Sequence, residues 1–157
     1  MRLDRNRRTL VAMTHPRHDI SDHLIRTQAD LEAVWRHLME PLGFSDGSTW
    51  AMAIGPDDRP TRHLIEIQDG GSPPAPEHVA NFGEALCRVG QDVEPGTRWA
   101  FLRVRPGRGG ARAADRTLVA ALLASCRAAG VPTEVAHFAN DDLLMPLPYD
   151  ELAASAS

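Results

Sequence analysis

Apolar positions along the chain change period several times, and each change marks an element. Ile20, Leu24 and Ile25 suit a short strand over Ile20 to Arg26. After Thr27, whose hydroxyl is a natural N-cap, Leu31, Val34, Trp35, Leu38, Met39 and Leu42 recur at helical spacing, with Asp30 in the first turn and Pro41 and Gly43 as stops. Thr49 to Gly55 is an apolar strand, the run Pro56 to Pro60 a turn, and Arg62 to Gln68 the returning strand. His63, Ile65 and Ile67 lie on one face of that strand, with Leu64 and Glu66 on the other. The run Asp69 to Pro76 is a loop, and Pro76, at the first turn, launches a helix carrying Val79, Phe82, Leu86 and Val89.

The last third is the most regular. Trp99 to Val104 is continuously apolar at its start and reads as a central strand. Pro106 to Gly110 turns the chain, and the Ala- and Leu-rich stretch Arg112 to Ala129 forms a helix stopped by Gly130 and Pro132. Glu134 to Phe138 and Leu143 to Leu147 make two late strands around an Asn140-Asp141-Asp142 turn. The predicted order is β-α-β-β-α-β-α-β-β, an α/β fold with a mixed central sheet flanked by helices. Residues 1–17 read as a mobile basic arm, 18–152 as a single domain and 153–157 as a frayed tail.

Composition narrows the function classes. A chain of 157 residues suits one hydrophobic core. No stretch supplies the roughly 20 apolar residues of a membrane span, and the basic N-terminus lacks an apolar region for export. Cys87 and Cys126 fall in predicted helices and resemble buried thiols more than a disulfide framework, which implies a reducing, cytoplasmic setting. Net charge is -4, giving no general affinity for nucleic acid. All 17 basic residues are arginine, and six of them, Arg98, Arg103, Arg105, Arg108, Arg112 and Arg116, cluster around the central strand and the following helix start. Without lysine there is no phosphate-loop chemistry, so the glycines Gly107, Gly109 and Gly110 are read as a turn.

Among the histidines, His15, His18 and His23 form a loose group near the arm, and His37 and His78 are expected to face water. Trp35 and Trp99 are expected in the core and Trp50 at an interface, and an exposed sheet edge or the hairpin could support two-fold self-association.

The strand-loop-helix from Arg98 to Gly130 carries a resemblance. It reads Phe101-Leu102-Arg103-Val104-Arg105-Pro106-Gly107, then Arg108-Gly109-Gly110-Ala111, then Arg112-Ala113-Ala114-Asp115. In order and spacing this resembles the JAB/MPN metalloproteins, the RadC-like branch in particular. There a His-x-His-Pro signature ends a central strand and a Ser-x-x-Asp opens the next helix. The resemblance covers roughly residues 20 to 147 and implies cytidine-deaminase-like layering.

It also implies where a zinc site would stand. Arg103 and Arg105 occupy the two histidine positions, Arg112 the serine position, Asp115 the aspartate position, and the upstream glutamate falls near Glu66. An arginine has no lone pair to give a metal, so the expectation is a pseudoenzyme without catalytic residues, metal or cofactor that binds or scaffolds a partner. A site rebuilt from His63, His137, Glu66 and Asp115 is the rival for metal binding.

Arg103, Arg105, Arg108, Arg112, Asp115 and Glu66 are the candidate site for an anion or partner. Either acidic groups pair with the arginines as structural glue, or the arginines hold a phosphate or carboxylate, or they form a simple solvent-facing basic edge. The second option leaves open a hydrolase-like enzyme with His63 or His137 as base, and a third reading is a nucleic-acid-associated protein.

Overall fold

The computed structural model describes residues 10–13, 20, 22–68, 76–148 and 152. Its elements are β1 (Leu10–Met13), α1 (Gln28–Met39), β2 (Ser48–Ile54), β3 (Pro60–Gln68), α2 (Pro76–Val93), β4 (Arg98–Val104), α3 (Ala113–Ala128), β5 (Ala136–Ala139) and β6 (Leu144–Leu147). The strands form one mixed sheet in the order β1-β3-β2-β4-β5-β6. All neighbours are antiparallel except β4 and β5, which run parallel because α3 carries the chain back between them.

The expected element order holds, with one strand misplaced. The first strand is β1, inside the stretch expected to be a mobile arm, and it pairs with β3 from Leu10↔Ile67 to Met13↔Leu64. Ile20 to Arg26 forms no strand. β1 already occupies the free edge of β3, and the Ile20 to Arg26 segment instead crosses the end of the β2–β3 hairpin. There the Ile25 amide donates to the Asp58 carbonyl at 2.7 Å and the Ile25 carbonyl accepts from Arg98 Nη2 at 2.7 Å. The remainder of the arm and the tail at 153–157 lie outside the described residues.

Strand alternation gives each face of the sheet its own core. Ala51, Ala53, Trp99, Phe101 and Phe138 face α2 and α3, where they meet Leu86, Val119, Leu123 and Cys126. Met52, Ile54, Ala100, Leu102 and Ala139 face α1, where they meet Leu31, Val34 and Trp35. Both Trp35 and Trp99 are buried, as expected, whereas Trp50 is half-buried between β3 and β4. His37 and His78 face water, and the His37 ring sits 5.4 Å from that of His23. Burial pushes the Cys126 thiol up to about 11, consistent with an inert core thiol, and Cys87 is half-buried.

Helix ends are set locally. Thr27 Oγ1 accepts from the Asp30 amide, and Asp30 Oδ2 accepts from the Thr27 amide, both at 3.0 Å. Those bonds leave α1 with a full capping box. α3 ends on Gly130, whose φ of +75° lets the Val131 amide reach back to the Cys126 carbonyl at 2.8 Å. α2 and α3 cross closely at Gly83. A Cβ there would stand 2.7 Å from the Ser125 carbonyl oxygen, and Ser125 Oγ donates to the Val79 carbonyl at 2.8 Å.

Candidate functional site at the end of the central strand

β4 runs through the middle of the sheet, and its C-terminal end delivers two guanidinium groups to the start of α3. Phe101 faces α2 and α3, so alternation turns Arg103 and then Arg105 to that same side. Arg103 Nε donates to Asp115 Oδ1 at 3.1 Å, and Arg105 Nη1 donates to Asp115 Oδ2 at 3.2 Å. Asp115 Oδ2 also accepts from the Arg112 amide at 3.0 Å, which caps α3 where the Arg112 side chain supplies no capping bond. The carboxylate is 2% exposed, and both of its oxygens are committed.

The candidate residues therefore divide. Arg103, Arg105 and Asp115 meet in one network, which Arg112 joins through its backbone, its side chain remaining exposed. Arg108 is exposed on the loop. Glu66 does not join. It pairs with Trp50 on β2, one step from the Thr49↔Ile67 and Thr49↔Arg103 pairs, so alternation directs it to the α1 side of the sheet. Arg98, at the opposite end of β4, contacts Asp58 at 3.0 Å and Glu134 at 3.2 Å.

Neither histidine considered as a base reaches the arginines. His63 is exposed on β3. His137 lies on β5 next to Phe138, the residue that pairs with Arg103, and so points to the α1 face. It is fully buried, and neither ring nitrogen makes a hydrogen bond of good geometry. Burial holds its pKa below the usual value, against an opposing pull from the Glu32 carboxylate and the Val135 carbonyl, and Arg36 adds to the lowering. With Glu66 and His137 on one face and Asp115 on the other, the alternative ligand set does not converge. Among the described residues no three His, Cys, Asp or Glu side chains do.

Two residues read from sequence only as a turn prove to shape the site. Asn140 is buried, its Nδ2 donates to the Gly109 carbonyl at 2.6 Å, and its Oδ1 accepts from the Asp142 and Leu143 amides at 2.9 Å. Asp141 accepts from the Gly107 amide and from the Phe44 amide, both at 2.9 Å. Those two bonds hold its carboxyl below the usual range, with Arg108 assisting against a partial desolvation. The Asn-Asp-Asp run signalled side-chain-to-backbone bonding, but not that the partners would be a loop some thirty residues earlier.

A cleft of about 240 Å³ opens far from this network, around the beginning of β4, between Cys87, Gly90, Thr97, Trp99 and Pro132. Among the described residues no helix is long and apolar enough to cross a membrane. Comparison with protein-family models, curated proteins and solved structures gives no match.

Proposed function

We propose that this chain is a non-catalytic binding or scaffolding module of the JAB/MPN type, RadC-like in layout, in which an ionic lock stands where related domains hold zinc. The observation that carries this reading is the commitment of both Asp115 oxygens to arginine. Both carboxylate oxygens accept from guanidinium groups, and one also caps α3, so three of the roughly four acceptor sites of the carboxylate are already spent on arginine, and a single remaining site makes no zinc centre. Any metal near these positions would also meet two permanent positive charges. The pair ties the end of the central strand to the helix that follows it. That attachment keeps the loop between them in one shape, as a surface for recognition requires.

Zinc titration of the purified, chelator-treated protein, read by a competing dye and by elemental analysis after dialysis, tests this. The expected result is no retained zinc and no hydrolysis of peptide or isopeptide substrates. Stoichiometric zinc that is lost in Asp115→Asn would overturn it and return the chain to the metallohydrolases.

A further inference from the structure

We propose that the corner formed by Arg105, Arg112 and Arg116 beside the Pro106–Ala111 loop binds a phosphate group. The stretch from Arg103 to Arg116 holds five arginines and a single acid, Asp115, a formal charge of +4 in a chain whose total is -4. Positive charge is therefore concentrated at one end of the sheet rather than spread over the surface.

The state of the individual side chains gives the concentration a direction. Arg105 is 22% exposed, commits Nη1 to Asp115, and has a buried Nε without a hydrogen bond among the described residues. The Arg112 side chain is exposed and Arg116 half-buried one turn later, and neither stands within 4 Å of a carboxylate among the described residues. Arg112 at the N-cap and Arg116 in the first turns of α3 bring like charge to the same helix end, and an anion held between them offsets their repulsion. Asp115 already serves as the cap of α3, so the recognition falls to guanidinium groups rather than to the helix end.

Room and rigidity are both present. Gly107, Gly109 and Gly110 are exposed, and a Cβ at any of them would meet nothing within 4 Å. Gly107 and Gly109 adopt φ of +103° and +93°, a conformation that favours glycine, so the open space beside the loop is built into its backbone. Asn140 and Asp141 hold that backbone through the Gly109 carbonyl and the Gly107 amide. A tetrahedral phosphate, with three oxygens and up to two charges, suits several planar forks supplied from a strand end and a helix start, whereas a carboxylate is filled by one.

The proposal goes beyond the binding-module reading and does not depend on the absence of zinc. It is tested by titrating the labelled full chain with inorganic phosphate, and separately with phenyl phosphate, while following backbone amide resonances. Saturable shifts centred on Gly109, Gly110 and Arg112 are expected, weakened about tenfold or more in the Arg112→Ala/Arg116→Ala double variant. These substitutions leave the backbone bond from residue 112 to Asp115 intact, and an unchanged circular dichroism spectrum verifies the fold. Equal saturation by the two probes supports a site for the free ion, and tighter saturation by phenyl phosphate supports a phosphomonoester. Shifts that grow linearly without saturating, or binding unchanged in the double variant, overturn the proposal. Zinc retention alongside saturable phosphate binding would sink the module reading and leave this one standing.

Discussion

The two faces of the sheet bury different kinds of polar group, charged on one and neutral on the other. Under α2 and α3, Arg103 and Asp115 are almost fully buried, yet the carboxylate is answered on both oxygens. Under α1, the buried polar groups are neutral, and among the described residues three ring nitrogens, Trp35 Nε1 and both of His137, make no hydrogen bond of good geometry. The difference follows from cost. An uncompensated charge inside a protein is prohibitive, so ionic groups are buried only when paired, whereas an unsatisfied neutral donor or acceptor costs about 1–3 kcal/mol and is tolerated. One face is consequently locked by a charged pair that must stay complete, with Arg105 Nε buried beside it without a hydrogen bond among the described residues, and the other carries the penalty of neutral ring nitrogens.

Breaking the pair gives the largest expected effect. Asp115→Ala strips two guanidinium groups of a shared acceptor and α3 of its cap, and unfolding in urea is expected to show a loss of about 3–5 kcal/mol. A loss below 1 kcal/mol would mean that the pair is solvated and no lock. On the same face, Gly83→Ala drives a methyl group into the Ser125 backbone, for an expected loss of about 1–3 kcal/mol through forced separation of α2 and α3. An unchanged urea midpoint would show that the helices yield freely.

The α1 face should respond to acid. His137 has a folded pKa below its ordinary 6.5 because burial disfavours the imidazolium. The stabilisation from keeping it neutral is complete above the unfolded value and is lost as pH falls from there toward the folded value. Stability should decline by at most about 1.4 kcal/mol per pH unit in that window, and His137→Leu should remove this part of the decline. A variant as acid-sensitive as the parent would place the titration elsewhere. The smallest effect belongs to the end of α1, where Thr27→Ala removes one half of the capping box and should cost about 1 kcal/mol by thermal unfolding. A melting temperature equal to the parent's would show that Asp30 alone suffices.

The contrast also explains what could be read from the sequence. Periodicity placed α1, α3 and the central strand well, because Leu31, Val34 and Trp35, or Val119, Leu122 and Cys126, are repeated along one helix face. The Arg103 and Asp115 partnership was legible for a similar reason, since alternation and a helix first turn fix both ends within twelve residues. Pairing across long separations was not. Nothing in Leu10–Met13 distinguishes an edge strand from an arm until β3 offers its free edge, and Ile20 to Arg26 has strand-like residues but no unpaired strand beside it. Glu66 was correctly placed opposite Ile65 and Ile67, yet only the β2–β4 register shows that the arginines lie on the other side.

The Asp141 carboxylate joins Phe44, Gly107 and its own turn, three stretches of chain far apart in sequence, at one solvent-facing point. Those two amides should exchange their hydrogens for solvent deuterium as a unit, slow in the parent and fast together once residue 141 is alanine, although over sixty residues separate them. The carboxylate is then a rivet between segments distant in sequence, and the shape of the glycine loop depends on the last hairpin being in place.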